Sequence, residues 1–243
     1  MIDDEEQIAM IGSPSRSDMW ANFIRRHDLR AIAELGVAQG AFAEQLLTNC
    51  PDIARYYLID PWKHLSDWNK PANQGNDTFE AFYNETLART EPWKAARVVL
   101  RGRTAEVIHS IPDESLDLAY VDADHTLRGI TIDLLRVWSK VRTGGFIGGD
   151  DFCPSIWQHA QEYEPTLVFP FAIYFAEAMD VPIVALPHNQ FLIEKTETGF
   201  GFLDLTGSYG DHTLRQALLM PNDHRITRLA RRIVGRLTPK TNP

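Results

Sequence analysis

Ala31-Ile32-Ala33-Glu34-Leu35-Gly36-Val37-Ala38-Gln39-Gly40 opens as a short apolar, β-like run and breaks into a glycine turn. A helix through Phe42-Ala43-Glu44-Gln45-Leu46-Leu47 follows, and Pro51 marks its end. Strand, tight turn and helix make the unit of a parallel sheet, because parallel strands need a crossover connection. Outward from this unit the alternation repeats. Residues 55–60, 96–100, 115–121 and 145–149 read as strands, with helices over 79–89 and roughly 126–141, the latter presenting Ile130, Leu134, Val137 and Trp138 on one face. Toward the N-terminus, 13–27 reads as a helix with Ser17 as N-cap and Met19, Trp20, Phe23 and Ile24 as its apolar stripe. Toward the C-terminus come a helix at 171–179 and strands at 182–186 and 191–195, with 200–205 a candidate for one more and the last strands pairing antiparallel. The pattern predicts an α/β protein: a Rossmann-like, doubly wound, mostly parallel seven-stranded sheet with an antiparallel C-terminal strand and helices on both faces.

The predicted strands end in acids. Glu34 lies in the first, Asp60 closes the second, Asp122 closes the fourth, and Asp150-Asp151 follow Gly144-Gly145-Phe146-Ile147-Gly148-Gly149. Ligands of an open parallel sheet bind outside the carboxyl ends of its strands, so these distant carboxylates converge on one cleft. Such a concentration of negative charge calls for a cation or a set of hydroxyls to hold.

The bulk numbers limit the choices. A chain of 243 residues with 44% hydrophobic content can bury a sizeable core in one domain. A net charge of −9 argues against a general nucleic-acid binder, which needs basic surface. The start, Met1-Ile2-Asp3-Asp4-Glu5-Glu6, lacks the features of a secretory signal, and no apolar run reaches membrane-spanning length. Cys50 and Cys153 form neither a disulfide framework nor a metal-ligand pair. The sequence reads as a reduced, cytoplasmic, single-domain protein with a helical cap over 1–30, a core over 31–205 and an extension over 206–243. That extension holds a basic amphipathic helix at 226–236 with Arg225, Arg228, Arg231, Arg232 and Arg236. Its arginines are a solvated face or a contact for an anionic acceptor or a neighbouring subunit, which leaves a homo-oligomer open.

The turn is G-x-x-x-G, not the G-x-G-x-x-G of a dinucleotide site or the G-x-x-x-x-G-K-[ST] of a phosphate loop. Gly36 lets the backbone turn sharply, and Gly40 lets a ligand or strand approach the helix start. Asp60 at the end of strand two suits bidentate hydrogen bonding to ribose hydroxyls, the alternative being a turn aspartate before Pro61. Together they describe a cofactor with a ribose and no pyrophosphate.

Glu34-Leu35-Gly36-Val37-Ala38-Gln39-Gly40 with Asp60 resembles the cofactor motifs of class I S-adenosylmethionine-dependent methyltransferases. The resemblance implies that Glu34, Gly36, Ala38 and Gly40 cradle the methionine part and that Asp60 holds the ribose. Thr104, in Arg101-Gly102-Arg103-Thr104, would lie near the adenine, and Asp122 would border the cofactor as well as the cation. Trp62 either covers the adenine ring by stacking or belongs to the core or a flap. Such a flap is expected within the long polar stretch after Pro61.

Asp122-Ala123-Asp124-His125 and Gly148-Gly149-Asp150-Asp151-Phe152 resemble a narrower group, the divalent-metal-dependent O-methyltransferases. The caffeoyl-CoA and catechol types carry Asp-Asn where this chain has Asp150-Asp151, and the catechol type has lysine at the His125 position. Histidine there, followed by Gly-Asp-Asp, is more similar to the macrocin-type sugar O-methyltransferases. The resemblance runs from about Ala31 to Phe152. Independently of it, Asp122, Asp150 and Asp151 suit a hard, oxygen-ligated cation such as Mg2+, whereas a compact His/Cys zinc set is not visible. A cation on an acceptor hydroxyl lowers its pKa, and His125 near the same strand end would take the proton as general base. The blander readings are that Asp124 caps the helix near Thr126, His125 is a first-turn surface residue, and Asp150-Asp151 form a polar turn.

The expected activity is therefore Mg2+-dependent transfer of the S-adenosylmethionine methyl group to a small-molecule hydroxyl, with a natural-product sugar as favoured acceptor. The rivals are a metal-independent methyltransferase for phenols or carboxylates, a non-catalytic cofactor-binding protein and, third, a dehydrogenase. His159 is a candidate substrate contact, while His188 and His212 read as isolated. Tyr163, Phe169, Phe171, Tyr174 and Phe175 line an acceptor pocket or, as helical spacing favours, pack in the core.

Overall fold

The computed structural model describes residues 2–160 and 162–210. The basic helix expected at 226–236 and His212 lie outside them. Strands β1 (Ala31–Leu35), β2 (Arg55–Asp60), β3 (Arg97–Arg101), β4 (Leu116–Val121), β5 (Val141–Gly149), β6 (Pro182–Leu186), β7 (Gln190–Glu194) and β8 (Gly201–Asp204) form one sheet in the order β3-β2-β1-β4-β5-β7-β6-β8. Every adjacent pair is parallel except β5–β7 and β6–β7, so β7 alone runs against the rest. The count is eight rather than seven because 201–204 adds to the far side of β6, parallel to it.

The central strands are buried because they carry apolar side chains on both faces, as parallel strands covered by helices must. Ile32, Ala33, Leu35, Leu58, Leu118, Ala119 and Ile147 are each at most 1% exposed. Helices α1 (Asp4–Ile11), α2 (Arg16–Arg26), α3 (Ala41–Asn49), α4 (Asn76–Arg89), α5 (Thr104–Val107), α6 (Leu127–Trp138) and α7 (Val168–Ala178) complete the described chain. The stripe on α2 is as read: Met19, Trp20, Phe23 and Ile24 are all buried. Its cap is Ser15, not Ser17; the Ser15 side chain accepts from the Asp18 N–H. At α6 the cap is Thr126, while Asp124 accepts the N–H of Thr126 itself.

α1 lies within the helical cap read over 1–30, although the sequence pattern delimits no helix there before residue 13. Half of its residues are polar; Met10 packs into the core, and Asp3 and Glu5 on Arg26 and Glu6 on His27 hold it as well. α2 lies directly on the sheet. A Cβ at Gly148 would sit 2.1 Å from the Trp20 ring, so only glycine there permits this approach. The strand order reverses between β1 and β4, and the crevice for a ligand opens at their carboxyl ends.

Candidate active site

Gly36 follows β1 at φ +85°, and a Cβ there would meet the Asp122 carbonyl oxygen at 2.0 Å. The glycine turn is thereby pressed against the end of β4. Asp60 braces it from β2. One carboxylate oxygen accepts the N–H groups of Val37 and Ala38, both at 3.0 Å, and the other accepts the N–H of Trp62 at 2.7 Å. Burial raises the pKa of Asp60, with those backbone donors opposing it. The Ala38 carbonyl accepts from Trp62 Nε1 at 2.7 Å and from Thr86 Oγ1 at 2.9 Å.

A cavity of about 780 Å³ opens over this turn. Glu34, Gly36, Ala38, Asp60, Thr104, Asp122, Asp124, His125, Asp151 and His159 all line it. Trp62, Gly40 and Asp150 are not among its lining residues. Trp62 is 1% exposed and packs on Tyr83 behind the turn, so it supports the backbone instead of presenting a stacking face. Gly40 makes room for Thr86 of α4, whose side chain would lie 3.0 Å from a Cβ there. Glu34 is fully buried beside the turn. Loss of solvation raises its pKa to about 8, against the pull of the Tyr56 hydroxyl that donates to it at 2.6 Å.

At the β4 and β5 ends the acids separate into two groups. Asp122, His125 and Asp151 come together, with one ligand atom from each within 4.8 Å of the others. His125 Nδ1 lies 2.5 Å from Asp151 Oδ2, and Nε2 lies 3.4 Å from Asp122 Oδ1, too long for a well-formed hydrogen bond. Burial alone would depress the His125 pKa, but the two carboxylates outweigh it and lift it to about 9. Two carboxylates and an imidazole at this spacing fit a divalent cation, and nitrogen in the set widens the choice beyond Mg2+ to Mn2+ and its neighbours.

Asp150 is turned the other way. Its carboxylate takes the guanidinium of Arg16, the amide of Gln190 at 2.6 Å and the N–H of Asp151 at 2.7 Å. The expected ligand set of Asp122, Asp150 and Asp151 is therefore gathered only in part, with His125 beside the cation position and Asp150 engaged in a half-buried network. Arg16 Nη1 also reaches Asp122 Oδ2 at 3.1 Å, so one guanidinium bridges two acids.

Sequence reasoning missed Arg16 and Gln190, which approach from α2 and β7. Nothing local marks them, although Arg16 stands in the first turn of a helix that was expected. It also missed Lys70, a buried residue that donates to the carbonyls of Glu164 and Pro165 at 2.8 and 3.0 Å. The expected flap takes shape around it: Leu65, Asp67, Trp68, Lys70, Pro71 and Ala72 line the cavity, and Asp67 pairs with Arg103 and Arg128. Of the aromatic residues of α7, Phe169 and Phe175 take the core alternative. Phe169 packs on Phe152 at 5.1 Å and Phe175 on Trp138 at 5.6 Å, and Tyr174 is 52% exposed. His188 contacts the Ser13 carbonyl at 3.0 Å.

This sheet order, with a glycine turn after β1 and an acid after β2 beside a single crevice, defines a Rossmann-like methyltransferase fold. Residues 33–152, just under half of the chain, match a family model described as a methyltransferase domain. No curated protein matches it in sequence. Among solved structures it is similar to an O-methyltransferase from Bacillus cereus in complex with S-adenosylhomocysteine, at 14% identity and a TM-score of 0.56 over 80% of this chain and 91% of that one. It is similar also to TomG from Streptomyces achromogenes, involved in tomaymycin synthesis and solved with S-adenosylmethionine, at 16% identity and a TM-score of 0.51 over 82% and 92%. A caffeoyl-CoA O-methyltransferase candidate from Staphylococcus aureus gives 14% identity and a TM-score of 0.57 over 79% and 88%. No helix among the described residues is long and apolar enough to cross a membrane.

Proposed function

We propose that the protein methylates a hydroxyl oxygen of a small molecule, with a divalent cation held by Asp122 and Asp151 beside His125 and a natural-product sugar as the favoured acceptor. The observation that carries this reading is one cavity lined both by the Gly36 turn and by the Asp122–His125–Asp151 cluster. Asp60 keeps acceptor capacity for a ribose hydroxyl on the oxygen that holds a single N–H. Glu34, Gly36 and Ala38 face the methionine part. The cation would supply positive charge that acidifies the acceptor hydroxyl. In the transfer the acceptor oxygen forms its bond to the methyl carbon as the S–C bond breaks and S-adenosylhomocysteine leaves. The hydroxyl proton passes to a neutral His125. That ring is held as an imidazolium by its two carboxylates, so its service as base requires their charge to be offset.

The test measures methyl transfer from labelled S-adenosylmethionine to a panel of glycosides and phenols, with and without EDTA. Asp151→Asn should lower kcat by about 100-fold or more, while the affinity for S-adenosylhomocysteine changes by less than about threefold. Full activity of that variant would remove the cation reading.

The bridging Arg16 favours a second reading, in which its guanidinium is the positive charge of the site and no cation is needed. Turnover that persists in EDTA and collapses in Arg16→Gln would select it. Binding of the cofactor without turnover of any acceptor would select the non-catalytic alternative.

A further inference from the structure

The cavity continues past the Gly36 turn into a recess between α5 and α6. Gly102, Thr104, Ala105, Gly129, Ile132 and Asp133 line it. Asp133 is the anomaly. It sits mid-helix on α6, is 4% exposed, and its Oδ2 is buried without a hydrogen-bond partner among the described residues. A buried carboxyl oxygen with no donor is costly, and a ligand that supplies the donor relieves that cost. The Thr104 hydroxyl lies against the same carboxyl and steadies it, while burial raises its pKa to about 7.

The sheet order places this recess. From the cluster outward the strand ends run β4, β1, β2, β3, carrying Asp122, Gly36, Asp60 and the Gly102–Thr104 segment in turn. A donor molecule with its methionine part at Gly36 and its ribose at Asp60 brings its base to the end of β3, beside Thr104. The donor missing from Asp133 is then an N–H on the base edge.

Resting on the methyltransferase reading, we propose that Asp133 is the residue that selects adenine, accepting a hydrogen bond from the exocyclic 6-amino group while Thr104 fixes its carboxyl. A 6-oxo purine presents an acceptor at that position and leaves both oxygens unsatisfied. A site built to pair a polar group rejects the analogue lacking it far more strongly than an apolar pocket rejects a misfit.

The measurement is calorimetric binding of S-adenosylhomocysteine and of its deaminated analogue, S-inosylhomocysteine, at about pH 8.5, where an ionised carboxyl only accepts. The wild-type protein should prefer the adenosyl form by about tenfold or more. In Asp133→Asn the carboxamide can turn its N–H2 toward a 6-oxo group, so the preference should fall below about threefold with the thermal midpoint retained. Asp133→Ser, smaller and still polar, should lose the preference too and serves if the Asn variant does not fold. Equal wild-type affinities, or a variant that keeps the wild-type ratio, would overturn the proposal. Failure of the wild-type protein to bind either nucleoside would instead remove the cofactor reading, and this proposal with it.

Discussion

Single side chains in this site carry two jobs, and Glu34 is the clearest case. It is buried under the glycine turn, and its pKa is raised to about 8 by lost solvation. In the unfolded chain it titrates near the ordinary glutamate value of about 4.3. Between those values the folded protein binds the extra proton, so ∂ΔG/∂pH is negative and stability falls as pH rises through the window. Asp133, with a pKa of about 7, acts in the same direction. The urea midpoint should therefore drop from pH 5 to pH 8, and Glu34→Gln should show a smaller drop across the same range. An unchanged slope would place the titration elsewhere. At this scale the sequence was informative where the acids were concerned: Glu34, Asp60, Asp122 and Asp151 all line one cavity. It was uninformative about Asp150, because the partners that turn it aside, Arg16 and Gln190, are 134 and 40 residues away along the chain. Trp62 was ambiguous for a related reason. Its role is decided by the Ala38 carbonyl and Tyr83, which no local pattern reveals.

Among the elements, the limits of β1, β2 and β6 coincide with the apolar runs read from the sequence, since each run is bounded by turn residues and buried on both faces. β5 starts four residues earlier than expected, at Val141, because Val141 already pairs with Leu116; the residues between it and Phe146 bulge from the β4 ladder, and Gly144 and Gly145 bond to the Lys195 backbone just past β7. α1 was legible only as part of a helical cap, without limits of its own, because its acidic surface gives no apolar stripe. The element with the largest consequence is α2. Trp20 is 0% exposed, meets Phe23 and Tyr120 edge-on at 5.7 and 5.4 Å, and donates its indole N–H to Gln190. Trp20→Ala should cost about 3–5 kcal/mol, read as a fall in Tm of roughly 2–4 °C for each kcal/mol in a domain of this size. Trp20→Phe keeps the ring contacts and loses the hydrogen bond, so its loss should be smaller. If the two variants were equal in Tm, packing against Gly148 would not be what seats the helix.

Over the whole molecule, two segments far apart in sequence close the cavity. Lys70 holds 162–166 through the carbonyls of Glu164 and Pro165 and the Thr166 hydroxyl, and Asn69 donates to the Glu162 carbonyl at 2.6 Å. Lys70→Met removes the ammonium and keeps most of the stem. Amide exchange should rise in 65–72 and in 162–166 together, and the KM for the acceptor should rise severalfold with kcat less affected. Faster exchange in one segment alone would show that they are not coupled. The basic C-terminal stretch anticipated from the arginine pattern lies beyond the described residues.

The reversed direction of β7 has its own outcome. In a parallel strand the last residue faces the crevice, but an inverted strand delivers its first, and Gln190 pairs with Leu186 at the tip of the β6–β7 hairpin and donates to Asp150. The hairpin's His188 and Asn189, both at positive φ, thus form a hinge pin between the far edge of the protein and its chemical centre. Two residues inserted after Pro187 should cripple methyl transfer in a labelled-donor assay, whereas the same insertion after Gly199, at the opposite rim, should pass almost unnoticed.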